Sequence, residues 1–160
     1  MVPAARALIR KLSLVPHPEG GHYREIHRAA ETVGTAKGKR SALTTIYFLL
    51  AEGERSVFHR VRSDEVWHHH AGAPLRLWRV AGDFSAKEEI RVGPLRGAQR
   101  PVAVIPAGDW QAAESAGGYT LVACAVGPGF DFADFSLLRD EAKAAATMRA
   151  AFPALAKRFG

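Results

Sequence analysis

Cysteine is almost absent from this chain, and no long apolar segment occurs in it. Cys124 is the only cysteine among the 160 residues, which excludes an internal disulfide framework and a zinc finger built on cysteines. It lies in an apolar segment, where we expect an inert core thiol. No apolar run approaches the roughly 20 residues of a membrane span, and the N-terminus lacks the apolar core of a secretory signal. We therefore expect a cytoplasmic protein that has no membrane partner.

The signatures of several common enzyme and binding classes are also missing. There is no G-x-S-x-G elbow and no phosphate-binding P-loop, so neither a serine hydrolase nor an NTP hydrolase is supported. The net charge is +6, but the basic residues are scattered. Their densest group, Lys37, Lys39 and Arg40, accompanies no nucleic-acid-binding motif. We expect a solvated basic surface and no nucleic-acid partner.

The composition is that of an ordinary globular protein. Hydrophobic residues make up 48% of the chain and charged residues 24%, and a chain of this length can bury a core of its own. No internal repeat or linker divides it. The sequence therefore predicts a single domain over residues 1–160.

Short segments rich in β-branched and aromatic residues alternate with turns rich in glycine and proline. They predict nine strands, at residues 22–28, 42–50, 56–61, 65–70, 75–80, 88–92, 101–105, 119–126 and 130–138. A loop is expected at 34–39. Helices are predicted over 4–12 and, rich in alanine, over 139–152, where Pro153 would end the second. The predicted fold class is all-β, a sandwich or barrel with a short N-terminal helix and a C-terminal helical tail.

Three consecutive histidines stand in the predicted strand EVWHHH. Side chains alternate between the two faces of a strand, so Glu65, Trp67 and His69 share one face, whereas His68 and His70 point the other way. The three histidines cannot all bind one metal. Either His69 alone or the pair His68 and His70 could join a single site, unless a bulge breaks the alternation.

The preceding strand carries another histidine at an inward position. Val57, His59 and Val61 share a face, so His59 points into the core if the valines do. Glu65, in the next strand, can then come close to the imidazole. A histidine in an apolar barrel beside a carboxylate is a candidate general base, because the carboxylate fixes its tautomer and tunes its pKa. The alternative is a buried histidine that is satisfied by one hydrogen bond.

The spacing of these residues resembles the first motif of the cupin superfamily, G-x5-H-x-H-x3-E-x6-G. Gly53, His59, Glu65 and Gly72 match it, and Val61 stands where the second histidine belongs.

The second cupin motif, G-x5-P-x-G-x2-H-x3-N, is matched in part. Pro106 and Gly108 fit, but Arg100 replaces the first glycine, Gln111 the histidine and Ser115 the asparagine.

Four ordered segments are similar to those of a cupin-like family of unknown function: PHPEGGHYRE, SDEVWH, IPAGDWQA and PGFDFADF. The resemblance implies a cupin-type jelly-roll β-barrel with a pocket inside it, and cupins of this kind are often homodimers. It covers a core of about residues 10–138 and leaves the tail, 139–160, outside. No settled reaction comes with it.

Metal-dependent cupins are held to use three histidines and one glutamate around a divalent transition metal. His59 and Glu65 remain from that set, Gln111 offers only an amide oxygen, and Val61 offers no ligand. A metal on His59, Glu65 and Gln111, helped by His69, stays an open hypothesis. The preferred interpretation is a polar pocket of the inherited shape without a metal.

The function predicted is that of a cupin acting on a small molecule, with His59 and Glu65 as catalytic residues. Tyr23, Trp67 and His69 are expected to line the ligand pocket, together with Gln111. Nucleotide-sugar 3,5-epimerases are cupin-like barrels held to use a histidine base on the equivalent strand, so an epimerase- or isomerase-type reaction on a sugar-like or nucleotide-like ligand is the most concrete version. The alternatives are a non-catalytic ligand-binding module and a metal-dependent enzyme.

The segment PHPEGG, before the first strand, allows two interpretations. Its two glycines suit positive φ angles or a close approach of the backbone. It could cap the mouth of the barrel and bring Tyr23 or Arg24 to a ligand. It could instead be a structural turn in which His17 and Glu19 bond to the backbone.

Overall fold

Two antiparallel sheets face each other and are connected by short turns, as the alternation of strand and turn residues predicts. The computed structural model describes all 160 residues. Its strands are β1 (Val15–Pro16), β2 (His22–Arg28), β3 (Thr32–Thr35), β4 (Gly38–Ser41), β5 (Thr44–Ala51), β6 (Arg55–Val61), β7 (Asp64–Gly72), β8 (Leu75–Val80), β9 (Lys87–Val92), β10 (Val102–Ile105), β11 (Trp110–Ser115), β12 (Tyr119–Gly127) and β13 (Phe135–Leu137). The helices are α1 (Pro3–Leu12), α2 (Ala142–Ala151) and α3 (Pro153–Phe159). The expected all-β fold with a helix at the start and a helical tail is confirmed.

One sheet has six strands in the order β1-β2-β5-β12-β7-β10, and the other has five in the order β13-β6-β11-β8-β9. β3 and β4 form a separate hairpin. The consecutive strands β6, β7 and β8 alternate between the two large sheets, so inward side chains from both sheets share one interior. A sandwich with this wiring places residues that are close in sequence on opposite walls of that interior.

The strand β11 was not predicted, although it lies inside the five-stranded sheet between β6 and β8. Both of its faces are buried, with Trp110 and Ala112 on one side and Gln111 and Ala113 on the other. Its sequence therefore shows no apolar–polar alternation, which is the usual signal of a strand.

Two other predictions of local structure were correct only in part. The expected loop at 34–39 contains the turn of the β3–β4 hairpin, in which the Thr35 hydroxyl donates to the Gly38 carbonyl. The expected strand at 130–138 is a strand only over β13, which follows a 3₁₀ turn over Phe132–Asp134. Asp131 causes the turn, because its carboxylate accepts the backbone N–H of Ala133.

The helix α1 covers the outside of the six-stranded sheet. Leu8, Ile9 and Leu12 form the face that was predicted, and they pack over a cluster that contains Leu49 and Leu121. The helix ends where the next residue turns into the left-handed region.

The tail docks on the outside of the five-stranded sheet, and it consists of two helices rather than the single one predicted. Pro153 ends α2 and also begins α3, since a proline lacks only an N–H that the first residue of a helix does not need. Phe159 is buried with its ring centroid 4.7 Å from that of Trp78 and 5.9 Å from that of Phe58. Arg158 binds the carboxylate of Glu114 through Nε at 3.0 Å. None of the helices is long or apolar enough to span a membrane.

The space between the sheets is filled with side chains at one end only. The residues that fill it come from both sheets, and they include Phe48, Leu50, Trp67, Leu75, Leu77, Ile90, Val92, Ile105 and Val122. At the other end the walls stay apart and leave a cavity.

Candidate functional site

The cavity has a volume of about 480 Å³ and opens to solvent. Aromatic side chains make up much of its wall: Tyr23, Phe48, Trp67, Phe130, Phe132 and Phe135. The histidines His17 and His59 and the buried carboxyl groups of Glu19 and Glu65 also line it. This volume suits a small organic ligand, and the mixture of apolar walls with a few polar groups is typical of a ligand site.

A bulge in β6 shapes the environment of His59. Gln111 of β11 pairs with His59, but Ala113 pairs with Ser56, so β6 has one extra residue between these two positions. As a result Ser56 and His59 lie on the same side, with Oγ and Nδ1 3.5 Å apart. The bulge also turns the carbonyl of Val57 toward the imidazole, where it lies 2.9 Å from Nδ1. The expectation that Val57 itself would share the inward face with His59 was therefore wrong.

The segment PHPEGG carries a second carboxylate into the cavity. Gly20 and Gly21 have φ angles of +103° and +72°, which L side chains rarely adopt. A Cβ at Gly20 would overlap the carbonyl oxygen of Arg55, so the turn approaches β6 too closely for any other residue. The carbonyl of Glu19 accepts the N–H of Val57 at 2.8 Å, and this bond directs the Glu19 side chain inward.

Glu19 is the centre of a buried hydrogen-bonded group. Its Oε2 lies 3.3 Å from Nε2 of His59 and 3.3 Å from Nδ1 of His17. Its Oε1 accepts the hydroxyl of Ser56 at 2.9 Å. The carboxylate in contact with His59 is thus Glu19 and not Glu65, which was the partner expected from the sequence.

Burial controls the protonation of this group. Loss of water raises the pKa of Glu19 to about 7, against the opposing effects of the neighbouring His17 and of the bond from Ser56. Burial lowers the pKa of His59, against the charge of Glu65 and the bond to Val57, and it lowers the pKa of His17 as well. Near neutral pH the imidazoles are uncharged and Glu19 is close to its midpoint.

The tautomer of His59 follows from its partners. The Val57 carbonyl can only accept, so Nδ1 carries the proton of the neutral ring and Nε2 presents its lone pair to Glu19. A protonated Glu19 donates to that lone pair, and an ionised Glu19 leaves it free to take a proton from elsewhere. The pair can therefore hold or release one proton at an apolar wall.

Glu65 lies on β7 and is held by a different set of bonds. The indole Nε1 of Trp67 can only donate, and it donates to Oε1 of Gln111 at 2.9 Å. The amide nitrogen of Gln111 is thereby turned to Glu65 and donates to Oε2 at 2.5 Å. Burial raises the pKa of Glu65, partly offset by the nearby His59. Gln111 does not itself line the cavity, but its hydrogen bond fixes the position of the Glu65 carboxyl group.

The same bonds argue against the hypothesis of a metal on His59, Glu65 and Gln111. A metal needs the amide oxygen of Gln111, yet that oxygen is used by Trp67 and the amide nitrogen points at Glu65. Val61 supplies no donor, and no group of three or more His, Cys, Asp or Glu side chains is arranged to hold a metal ion. The residues present do not fit the metal centre that metal-dependent cupins are held to contain.

His69 was expected in the ligand pocket, but it does not line the cavity. Its Nε2 lies 3.3 Å from the carbonyl of Ala73, near the other end of β7. The pairing of β7 with β12 skips His70, which breaks the alternation there. His70 packs edge-on against Tyr47, 6.2 Å between ring centroids. The histidine triplet therefore does not contribute to the cavity.

Of the other predicted residues, Tyr23 and Trp67 do line the cavity, and Tyr23 packs edge-on against His17 at 4.5 Å. Glu19 and His17 were weighed only as parts of a cap or turn, and Ser56 was not singled out. Two adjacent glycines beside an acidic residue are the signal that could have found Glu19, because a close approach of backbones can carry that residue inward.

A family model and several solved structures match this chain. A family model described as "Cupin superfamily (DUF985)" matches residues 6–138. The solved structure of a hypothetical protein from Leishmania major is 33% identical, with 98% of each chain covered and a TM-score of 0.87. A protein from Shewanella oneidensis is 34% identical, with 93% of this chain and 90% of that chain covered and a TM-score of 0.81. No curated protein matches.

More distant structures show the fold alone. An oxalate decarboxylase from Bacillus subtilis is 14% identical and has a TM-score of 0.60, with 89% of this chain and 35% of that chain covered. The cupin-type jelly-roll sandwich expected from the sequence is thus confirmed. The tail lies outside the family model, but the Leishmania structure, at 98% coverage, matches it too. The chain belongs to the cupin superfamily, in the family described as DUF985.

Proposed function

We propose that this protein is an enzyme that binds a small molecule in the cavity and moves a proton on it, as an isomerase or epimerase does. The observation that carries the proposal is the contact between Nε2 of His59 and Oε2 of Glu19, at 3.3 Å, on the wall of an apolar cavity. A general base works best when its pKa lies near the operating pH. The pair of His59 and Glu19 meets that condition, because Glu19, with a pKa of about 7, can exchange the proton that Nε2 of His59 takes up.

The chemistry needs one group that takes a proton and one that gives a proton back. His59 has its lone pair at Nε2, so it can take the proton of a C–H beside a carbonyl, while the carbonyl oxygen becomes an enol oxygen. Glu65 supports the donor role, because burial raises its pKa and so favours its protonated form. In the second half of the reaction the enol O–H returns its proton to Glu65 while a proton is delivered to carbon. Delivery to the neighbouring carbon completes an isomerisation, and delivery to the other face of the same carbon completes an epimerisation.

The experiment is solvent exchange followed by mass spectrometry. The protein is incubated in D₂O with a panel of aminoketones, hydroxyketones, 2-oxo acids and nucleotide sugars, and uptake of deuterium at carbon is measured. We expect uptake into at least one compound, and a loss of about 100-fold or more in His59→Gln, since general bases contribute on that scale. His69→Gln is the matched control, because this histidine is in β7, the next strand along the chain, but outside the cavity. It should retain the rate within about twofold.

A non-catalytic binding protein is the second candidate, favoured by the extent to which the polar groups already bond one another. Trp67 donates to Gln111 and Gln111 donates to Glu65, and Gln111 lies outside the cavity lining, so it has no contact with a ligand there. A ligand that binds without any exchange of deuterium, in the wild type as in His59→Gln, would favour this candidate over the enzyme.

The sugar-like or nucleotide-like ligand stays a prediction that rests on the resemblance to epimerases. The homodimer is likewise proposed rather than shown. It is supported by the edge strand β10, where Val102 and Val104 are 40% and 51% exposed and leave an apolar strip on the surface. Light scattering of the purified protein should give twice the chain mass, and Val104→Lys should reduce it.

A further inference from the structure

We propose that the inner part of the cavity binds an organic cation, an ammonium group carried on an apolar or aromatic body. This inference rests on the proposed function in that it concerns the same cavity, and it names the class of ligand.

The inner part of the cavity contains buried acidic groups, whereas the basic groups of its wall are exposed. Glu19 and Glu65 line the inner part and are only 6% and 7% exposed. The arginines that line the wall, Arg24 and Arg28, are exposed, and Arg28 is already paired with Glu25 at 2.7 Å. No lysine or arginine is among the buried residues. Two buried carboxyl groups therefore share a space that contains no permanent positive charge.

Buried carboxyl groups in such a place keep their protons because the charged form lacks a partner. Burial raises the pKa of both Glu19 and Glu65, and the charge of Glu19 further raises that of Glu65. A bound cation supplies the missing partner, so a carboxyl proton leaves as the ligand enters. An anion would instead meet two acidic groups at close range, which is unfavourable for both.

The walls favour a cation for an independent reason. Aromatic rings attract positive charge through their faces, most strongly where water is excluded. Phe48, Trp67 and Phe135 line the cavity, and Phe135 is stacked on His59 with the ring centroids 5.6 Å apart. Because His59 contacts Glu19, aromatic surface and a carboxyl group border the same space. The volume of about 480 Å³ leaves room for the body of the ligand.

Binding of a cation also prepares the proposed chemistry. Once Glu19 has lost its proton, it no longer donates to Nε2 of His59, and its negative charge makes that nitrogen more basic. The ligand would thus switch the pair to the state that can accept a proton.

The test uses three probes of similar size: benzyltrimethylammonium, whose charge does not change with pH, benzyl alcohol and benzoate. Titration calorimetry should show the cation binding at least about tenfold more tightly than the other two, a difference that desolvated cation–π contacts alone can supply. In two buffers of different ionisation enthalpy it should release about one proton at pH 6. Its affinity should fall by up to about tenfold per unit as the pH decreases below the pKa of Glu19, about 7.

Substitutions connect the effect to the residues. Glu19→Gln should remove the pH dependence and weaken binding of the cation about tenfold, without changing that of benzyl alcohol. Glu31→Gln, at an exposed position outside the cavity, is the matched control and should bind within about twofold of the wild type. If Glu19→Gln does not fold, Glu65→Gln should lower the affinity for the cation in the same way. Proton release on binding is measured on the wild type alone and does not depend on any variant.

The proposal is overturned if benzoate or benzyl alcohol binds as tightly as the cation, if none of the three binds, or if binding releases no proton. The probes have no C–H that the protein could exchange, so these results do not depend on catalysis. Failure of the deuterium experiment would contradict only the proposed function, and failure of this one only the class of ligand.

Discussion

The two ends of the space between the sheets are built from the same strands and filled in opposite ways. At the filled end, side chains such as Leu77 and Val92 are fully buried against one another. At the hollow end, His59 and Glu19 are equally buried but face a cavity and bond to each other. The difference shows that the carboxyl and imidazole groups of this interior lie where the packing stops, in contact with partners that bond to them.

Single strands supply both ends, so position along the strand decides the role of a residue. On β7, Trp67 packs in the filled end and also forms part of the cavity wall, whereas Glu65, two residues earlier, faces the cavity. The indole of Trp67 donates a hydrogen bond to Gln111, and Gln111 donates one to Glu65. Trp67 is therefore the boundary between the two ends and connects their packing to the site.

The largest effect is expected from truncation at the filled end. Leu77→Ala removes a fully buried side chain from a close-packed cluster and should lower the free energy of unfolding by about 2–5 kcal/mol. Urea denaturation followed by circular dichroism measures this directly. A loss below about 1 kcal/mol would mean that the filled end is loosely packed, and the contrast between the two ends would fail.

At the hollow end, Glu19 should make stability depend on pH. Its pKa is raised from 4.5 to about 7, so the folded protein holds a proton between these values that the unfolded chain has released. The contribution of Glu19 is therefore fully present below about pH 4.5, falls as the pH rises, and is lost above about 7. Glu19→Gln lacks this dependence, so its stability relative to the wild type should rise by on the order of 3 kcal/mol over that range.

Denaturation of both proteins at a series of pH values checks this prediction. The lowered pKa values of His59 and His17 act in the opposite direction, since they favour the folded state as the pH rises through about 6.5. Both histidines are present in each protein, so the difference reports Glu19 together with its coupling to His17. A difference that stays constant with pH would show that Glu19 titrates normally. Glu25→Gln, which removes an exposed carboxylate, serves as the control.

A matched pair of valines compares the two ends with the same chemical change. Val92 lies in the filled end, and Val61 lines the cavity. Each change to alanine removes two methyl groups, but only Val92→Ala opens a new void. We expect the free energy of unfolding to fall by about 2–3 kcal/mol in Val92→Ala and by about 1 kcal/mol in Val61→Ala, from transfer and cavity costs. Equal losses measured by urea denaturation would contradict the assignment of Val61 to a hollow region.

The smallest effect is expected from metal ions. Since Gln111 presents its amide nitrogen rather than its oxygen to Glu65, Mn²⁺, Ni²⁺ or Zn²⁺ added to chelator-treated protein should shift Tm by less than about 1 °C. Differential scanning fluorimetry measures the shift. An increase of several degrees that disappears in His59→Gln would revive the metal hypothesis.

The sequence predicted the architecture better than the site. Most strands and both terminal helical regions follow from local patterns, but β11 could not be seen because both of its faces are buried. His59 and Glu65 were placed correctly on the wall, since period-two alternation and motif spacing are local properties. Glu19 was not assigned, because its position depends on the contact of a turn with β6, which is a tertiary feature. His69 was misplaced because its distance along β7 takes it away from the cavity.

The central claim is that Glu19, buried against His59, holds a proton that it can exchange near neutral pH. Carbon-detected NMR of protein labelled with ¹³C-glutamate follows each carboxyl carbon through a titration. The account predicts one carboxyl group with a midpoint near pH 7, and the loss of this signal in Glu19→Gln. A spectrum in which the carbon assigned to Glu19 titrates near pH 4.5 would contradict it.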